Sequence, residues 1–216
     1  MITTYSNNVV SFKKTVFTSI TTTDLVAWYK GDVPQTYSVD GSNYITQWED
    51  QSGNGNHLTG STFTSGQTYI NTTTTNGLTT IGWPNNKQTP SCIFTTPITG
   101  NSTIYIVSTS PGYNPGVANY IYQNLGTSVV QAYYNFNGTV GGAGTRVYYT
   151  NPFVSNAQLR CMSSTYNGAV SQTGLTMGGG NGSVGATVCE FMYFNTLHNA
   201  SRIAVVTDYL KTKWGV

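Results

Sequence analysis

Short runs in which apolar and polar side chains alternate, broken by clusters of Gly, Asn and Pro, make up most of this chain. A period of two puts one face of a strand into a core and leaves the other in water. Leu25-Val26-Ala27-Trp28-Tyr29-Lys30 and Tyr44-Ile45-Thr46-Gln47-Trp48 read this way, with Ile45 facing opposite to Tyr44 and Trp48. Further strands are predicted at Ile93-Phe94 and at 103–108, 120–123, 129–136, 146–149, 158–162 and 187–194. Pro111-Gly112, Asn137-Gly138, Asn167-Gly168 and the glycine-rich stretches 141–144 and 177–182 supply the turns between them.

A helical period appears once, over 200–213, where Ile203, Val206, Leu210 and Trp214 share a stripe with Tyr209 at its edge. Lys211 and Lys213 suit the negative end of the helix dipole, Gly215 suits a stop, and Asn199 is the expected N-cap. The fold class this predicts is all-β: an antiparallel sandwich or jelly roll closed by one C-terminal α-helix. Residues 1–23, polar and Thr-rich, read as an extended N-terminal arm, and 24–216 as one β-domain.

Composition narrows the setting. Only 7% of the 216 residues are charged, against about 25% in ordinary globular proteins, so Thr, Asn, Ser and Gly carry the solubility. Sixteen Tyr, eight Phe and four Trp give ample surface to bury, which excludes disorder. A net charge of +2 with scattered Lys and Arg excludes a nucleic-acid footprint. Cys92, Cys161 and Cys189 lack zinc-ligand spacing; they read as three buried thiols, the alternative being one disulfide plus a free thiol. The N-terminus has neither the basic nor the apolar region of a signal peptide, so either a precursor's signal is missing or the protein is made in a cytoplasm and leaves within an assembly, the second option fitting a virion protein.

The loop Trp48-Glu49-Asp50-Gln51-Ser52-Gly53-Asn54-Gly55-Asn56-His57 is the densest cluster of turn-forming chemistry. Gly53 and Gly55 admit positive φ, and Asp50, Ser52, Asn54 and Asn56 can bond back to nearby amides. With two other segments it resembles the laminin G/concanavalin A-like sandwich family found in bacterial and viral surface proteins. Leu25-Val26-Ala27-Trp28-Tyr29 is similar to that family's opening L-x-A-W-Y strand, and 48–56 to its W-x-D-x-S-G-N-G-N loop. Glu190-Phe191-Met192-Tyr193-Phe194 followed by Tyr209-Leu210-Lys211-Thr212-Lys213-Trp214-Gly215 is similar to its closing strand and helix. The resemblance implies a concanavalin A-like jelly roll, a fold that serves lectins, adhesins, glycanases and capsid parts alike.

Candidate chemistry is sparse. Glycanases need converging carboxylates, and no E-x-D-x-E run occurs among the seven acids. Glu49 and Asp50 are adjacent, which on a strand points them apart. Glu190 is expected to be structural, accepting bonds from backbone or from a lysine such as Lys213. His57 and His198 have no G-x-S-x-G partner. Asp50, Asn54 and Asn56 offer part of an oxygen shell for calcium, against which stands a loop that simply bonds to itself. Tyr113, Tyr133, Asn135, Arg146 and Tyr148 are candidate sugar contacts, since sugars stack their C–H faces on aromatics and pair their hydroxyls with Asn and Arg; the alternative is packing at sheet edges. The expectation is a non-catalytic virion structural or surface protein, capsid- or tail-associated, assembling with other subunits and attaching to host glycans. The alternative is a secreted, extracellular lectin-like module, with or without calcium.

Overall fold

The computed structural model describes residues 20–42, 44–59, 69–70, 74–83, 91–109, 119–126, 131–134, 146–148, 160–166, 171–177 and 186–216. In chain order the strands are β1 (Leu25–Lys30), β2 (Tyr37–Val39), β3 (Ile45–Trp48), β4 (Leu58–Thr59), β5 (Tyr69–Ile70), β6 (Ile81–Trp83) and β7 (Ser91–Thr99). They continue with β8 (Ser102–Thr109), β9 (Asn119–Gly126), β10 (Gln131–Tyr134), β11 (Arg146–Tyr148), β12 (Arg160–Tyr166), β13 (Ser171–Met177) and β14 (Ala186–Phe194). One helix, α1 (Ala200–Trp214), ends the chain.

Among the described residues the strands form two antiparallel sheets. The first runs β11-β12-β8-β14-β6-β5, with β1 also paired to β14; the second runs β10-β9-β13-β7-β4-β3-β2. Residues from both sheets share one buried cluster, including Tyr29, Trp48, Leu58, Phe94, Ile106, Leu175 and Phe191. A second cluster lies between the first sheet and α1, with Tyr105, Met192 and Phe194 against Ile203, Val206, Leu210 and Trp214. The central strands β8 and β14 are thus covered on both faces, so their sequences are continuous apolar runs rather than alternating ones. The helix follows its expected stripe. Asn199 Oδ1 accepts from Arg202 N at 2.9 Å, and Gly215, at φ 70°, closes the other end by donating its N–H to Lys211 O at 2.8 Å.

Bulges, which insert an unmatched residue and turn the side chains beyond it over, correct the simple alternation. On β3 the pairing steps from Ser38↔Gln47 to Val39↔Ile45, leaving Thr46 as the extra residue. Ile45 and Trp48 therefore both enter the core between the sheets, where strict alternation puts them on opposite faces. On β1 the extra residue is Val26, and Leu25 packs toward the helix while Ala27 and Tyr29 face the other sheet. On β14 the register shifts between Val188 and Glu190. Cys189 joins the cluster under α1, and Glu190 meets groups of that same helix.

Glu190 is fully buried and its carboxylate is fully engaged. Oε1 accepts from Trp28 Nε1 at 2.7 Å and Tyr209 OH at 3.0 Å; Oε2 accepts from Trp214 Nε1 at 2.9 Å and Lys213 Nζ at 2.8 Å. The structural role and the Lys213 partner expected for Glu190 are both present. Cys92 and Cys189 are buried free thiols, and burial pushes the Cys92 thiol up to about 11; the side chain of Cys161 lies outside those described. Most of the N-terminal arm, 1–19, also lies outside the described residues. Replacing Glu190 with Ala strands two indole N–H groups in a dry site and takes from Lys213 one of the two carboxylates it meets. We expect Glu190→Ala to lose about 3–5 kcal/mol of stability, read from the urea midpoint.

Candidate functional site

The loop after β3 exists to satisfy the bulge in β1. With Val26 unmatched, the carbonyls of Leu25 and Val26 need donors from elsewhere. Asn54 Nδ2 donates to Leu25 O at 2.6 Å, and Asn56 Nδ2 donates to Val26 O at 2.8 Å. Asp50 organises the donors. Its Oδ1 accepts from Trp28 N and Ser52 N, each at 2.8 Å, and its Oδ2 accepts from Ser52 Oγ at 2.6 Å and Asn56 N at 3.1 Å. Gln51 N donates back to Trp28 O at 2.7 Å, and Asp50 N to His57 Nδ1 at 3.1 Å. Gly53 and Gly55, at φ 90° and 71°, make the coil sterically open.

Of the two readings of Asp50, Asn54 and Asn56, this geometry favours the self-bonded loop. A calcium shell needs carboxylate and carbonyl oxygens turned inward. Here the Asp50 oxygens face four N–H and O–H donors, and Asn56 Oδ1 is taken by Thr95 N at 3.0 Å.

A cleft opens beside this loop. Its volume is about 520 Å³, and Asp24, Asn54, Thr95, Thr96, Thr99 and Asn195 are among the residues that line it. Its wall is a bulge in β7: register runs from Ser171↔Thr99 and Gln172↔Ile98 directly to Gly174↔Ile93, so Phe94 to Pro97 stand opposite Thr173 alone. Pro97, which has no N–H to give a ladder, suits such a place. Thr95, Thr96 and Pro97 are all exposed as a result. Among the described residues the side chains of Thr96, Thr99 and Asn195 have no hydrogen-bond partner, so their donors and acceptors are open to a ligand. The floor is rigid, since Thr95 is tied to Asn56 and Asn54 to Leu25.

Asp24, which lines the cleft, anchors a polar chain that runs from half-buried groups to the buried His198 and Tyr105. Arg202 Nη1 donates to Asp24 Oδ2 at 2.8 Å, its Nη2 donates to Oδ1, and Thr196 Oγ1 donates to Oδ2. Burial pushes the Asp24 carboxyl up, but the bonds from Arg202 and Thr196 and the Arg202 charge outweigh it and hold the group below its ordinary value. His198 Nε2 lies 3.3 Å from Asp24 Oδ2, and Nδ1 lies 2.7 Å from Tyr105 OH. Burial first, and the Arg202 charge second, depress His198 to about 4. The neutral ring thus donates to Asp24 through Nε2 and accepts from Tyr105 at Nδ1.

The sugar contacts expected from the sequence are distributed differently. Tyr133 is on β10, the edge strand of the second sheet, whereas Arg146 and Tyr148 are on β11, the edge strand of the first. Tyr113 and Asn135 lie outside the described residues. The sequence reading missed the cleft because Asp24, Thr95 to Thr99 and Asn195 belong to no motif. Pro97, three residues beyond the strand predicted at Ile93-Phe94 and inside the observed β7, was the one available signal.

No family model matches the chain, and no curated protein matches it. Solved structures that share its fold are Trypanosoma rangeli sialidases. The sialidase in complex with sialic acid aligns with a TM-score of 0.54 at 10% identity, over 90% of this chain and 34% of its own. The covalent intermediate with 2,3-difluorosialic acid aligns at 0.56, again at 10% identity with 90% and 34% coverage. A mutant displaying trans-sialidase activity aligns at 0.52, with 10% identity and coverage of 91% and 34%. This chain spans about a third of each sialidase chain. At such identity the likeness is one of fold. It nevertheless corrects the expectation of a non-catalytic chain, because the same arrangement of strands forms part of chains that are enzymes.

Two outcomes follow from the geometry. Added calcium leaves the calorimetric unfolding midpoint unchanged, while Asp50→Ala lowers stability by about 3 kcal/mol through the stranded donors of β1 and the loop. Stability also falls with acid. His198 binds its proton at 6.5 when unfolded but only near 4 when folded, and Asp24 likewise binds protons more readily unfolded. Urea midpoints therefore decline between pH 6.5 and 4 and further below, and His198→Asn flattens the upper part of that decline.

Proposed function

We propose that this chain is a carbohydrate-recognition domain of the laminin G/concanavalin A-like sandwich type, displayed on the outside of a virion, where it assembles with other subunits and attaches the particle to host glycans. The observation that carries the reading is the cleft at Asp24, Asn54 and Asn195. Its 520 Å³ lies within the range of about 300–1,000 Å³ of small-molecule sites. Its lining is rich in hydroxyls and amides, and its one carboxylate is already neutralised by Arg202. Such a lining complements the hydroxyls of a neutral glycan better than a charged or apolar ligand. The rigid floor supports it further, since a preorganised site loses little entropy when a ligand binds.

Surface placement is supported by the low charge and by Thr, Asn, Ser and Gly as the solubilising residues. The sandwich family is supported by the three matching segments and by two sheets that share one buried cluster.

The test is a glycan array probed with the whole chain, with released sugar measured in parallel so that turnover is registered. The expected outcome is selective binding that Thr96→Trp, which fills the mouth of the cleft, weakens by at least about tenfold, or 1.4 kcal/mol. Binding that survives Thr96→Trp and Asn195→Ala together would move the site elsewhere. An array with no signal above background would end the proposal.

A further inference from the structure

Lys213, at the end of α1, places its Nζ 2.8 Å from Asp32 Oδ1 and 2.8 Å from Glu190 Oε2. The side chains of Lys213 and Asp32 are only 14% and 16% exposed, and that of Glu190 is 0%. Aromatic groups wall the contact. The Trp214 and Tyr209 rings lie 5.1 and 5.7 Å from Nζ, and the Trp28 indole holds Glu190 from the far side. An amine and two carboxylates, one of them fully buried, are thus fixed together in a largely dry place.

We propose that Lys213 and Asp32 are a self-modification site, at which the amine and the carboxylate condense to an intramolecular amide with Glu190 carrying the protons. The amine nitrogen attacks Asp32 Cγ, the Nζ–Cγ bond forms, and one Cγ–O bond breaks. Two of the three ammonium protons pass to the departing oxygen, relayed by Glu190 Oε2, and it leaves as water. The ammonium and carboxylate become one secondary amide and one water. No oxidant is needed, no net proton moves, and Glu190 ends as it began.

One physical term favours the step here and not in open water. Fixed contact between reacting groups is equivalent to concentrations of about 10⁵–10⁸ M, which offsets the tendency of water to hydrolyse amides. Two other cations among the described residues are placed differently. Arg202 meets Asp24 with a guanidinium that stays protonated and is no nucleophile. Lys30 sets its Nζ 3.5 Å over the Trp28 ring.

The amide would join residues 181 positions apart, tying the turn after β1 to the last turn of α1. It would close nearly the whole β-domain into one covalent loop, a property suited to a chain exposed outside a cell or particle. The inference is independent of glycan binding.

Intact-mass spectrometry of the purified full chain, fresh and after prolonged incubation at neutral pH, tests it directly. The expected result is a protein lighter by one water molecule, with a protease-resistant linkage joining the peptides that contain Asp32 and Lys213. Lys213→Arg and Asp32→Ala restore the full calculated mass. The peptide map needs no variant, so it decides the matter even if a substitution fails to fold. A wild-type chain at full mass after incubation overturns the proposal and leaves a salt bridge. A lost water that maps to other residues, or persists in Lys213→Arg, overturns it as well.

Discussion

A carboxylate with no exposure to water holds this fold together. An isolated charge of that kind is unaffordable in a protein interior, and Glu190 is tolerable only because four donors converge on it. Trp28 comes from β1, and Tyr209, Lys213 and Trp214 come from α1. Glu190 itself sits on β14, the strand that pairs with β1, β6 and β8. One side chain therefore fixes the angle at which the helix lies on the sheet and the register in which the opening strand joins it. The apolar packing of Ile203, Val206 and Leu210 supplies bulk attraction. It does not by itself choose among rotations of the helix. The directional bonds to Glu190 do.

The bulges are the second constraint, and they explain where the sequence was legible and where it was not. Strands β1 and β3 and the helix were visible in their periodicity, and β8 as an apolar run, to within a residue or so at each end. The facing of Ile45 was not, because Thr46 is an unmatched residue and nothing in its identity announces that. Glu190 was read as structural, yet its placement among helix groups depends on a register shift that lies in the pairing with β8 rather than in β14 alone. A period-two pattern describes a strand by itself. A bulge is a relation between two strands, and it enters the sequence only when it recruits a special residue such as Pro97.

The loop at 48–57 shows the same logic from the other side. Its Asp, Ser and Asn residues suggested a cation or ligand site when considered alone. Beside β1 they become the partners of a strand whose ladder has been broken at Val26. The motif and the bulge are two halves of one device, and that accounts for the rigidity of the cleft floor. The cleft's own lining was illegible because threonines and asparagines fill this chain, and only the β7 bulge singles out Thr95 and Thr96.

Strand β1 carries both ends of this design. Leu25 and Val26 line the cleft and depend on the Asp50 loop, while four residues on, Lys30 lies beside Trp28 and opposite Glu190. Asp24, immediately before the strand, is held by Arg202 in the first turn of α1, and Asp32, two residues after it, is held by Lys213 in the last. The helix therefore clamps β1 at both ends through opposite charges, with the Glu190 cluster at the Lys30 end, where it shares Lys213 with Asp32. A strand clamped in this way cannot slide. A slip of one residue would remove both ion pairs, reverse Tyr29 and Trp28 between the two cores, and take the Leu25 and Val26 carbonyls away from Asn54 and Asn56. The precision of the cleft is thus set in part away from it, by the contacts of Asp32 and Glu190 with the last turn of α1.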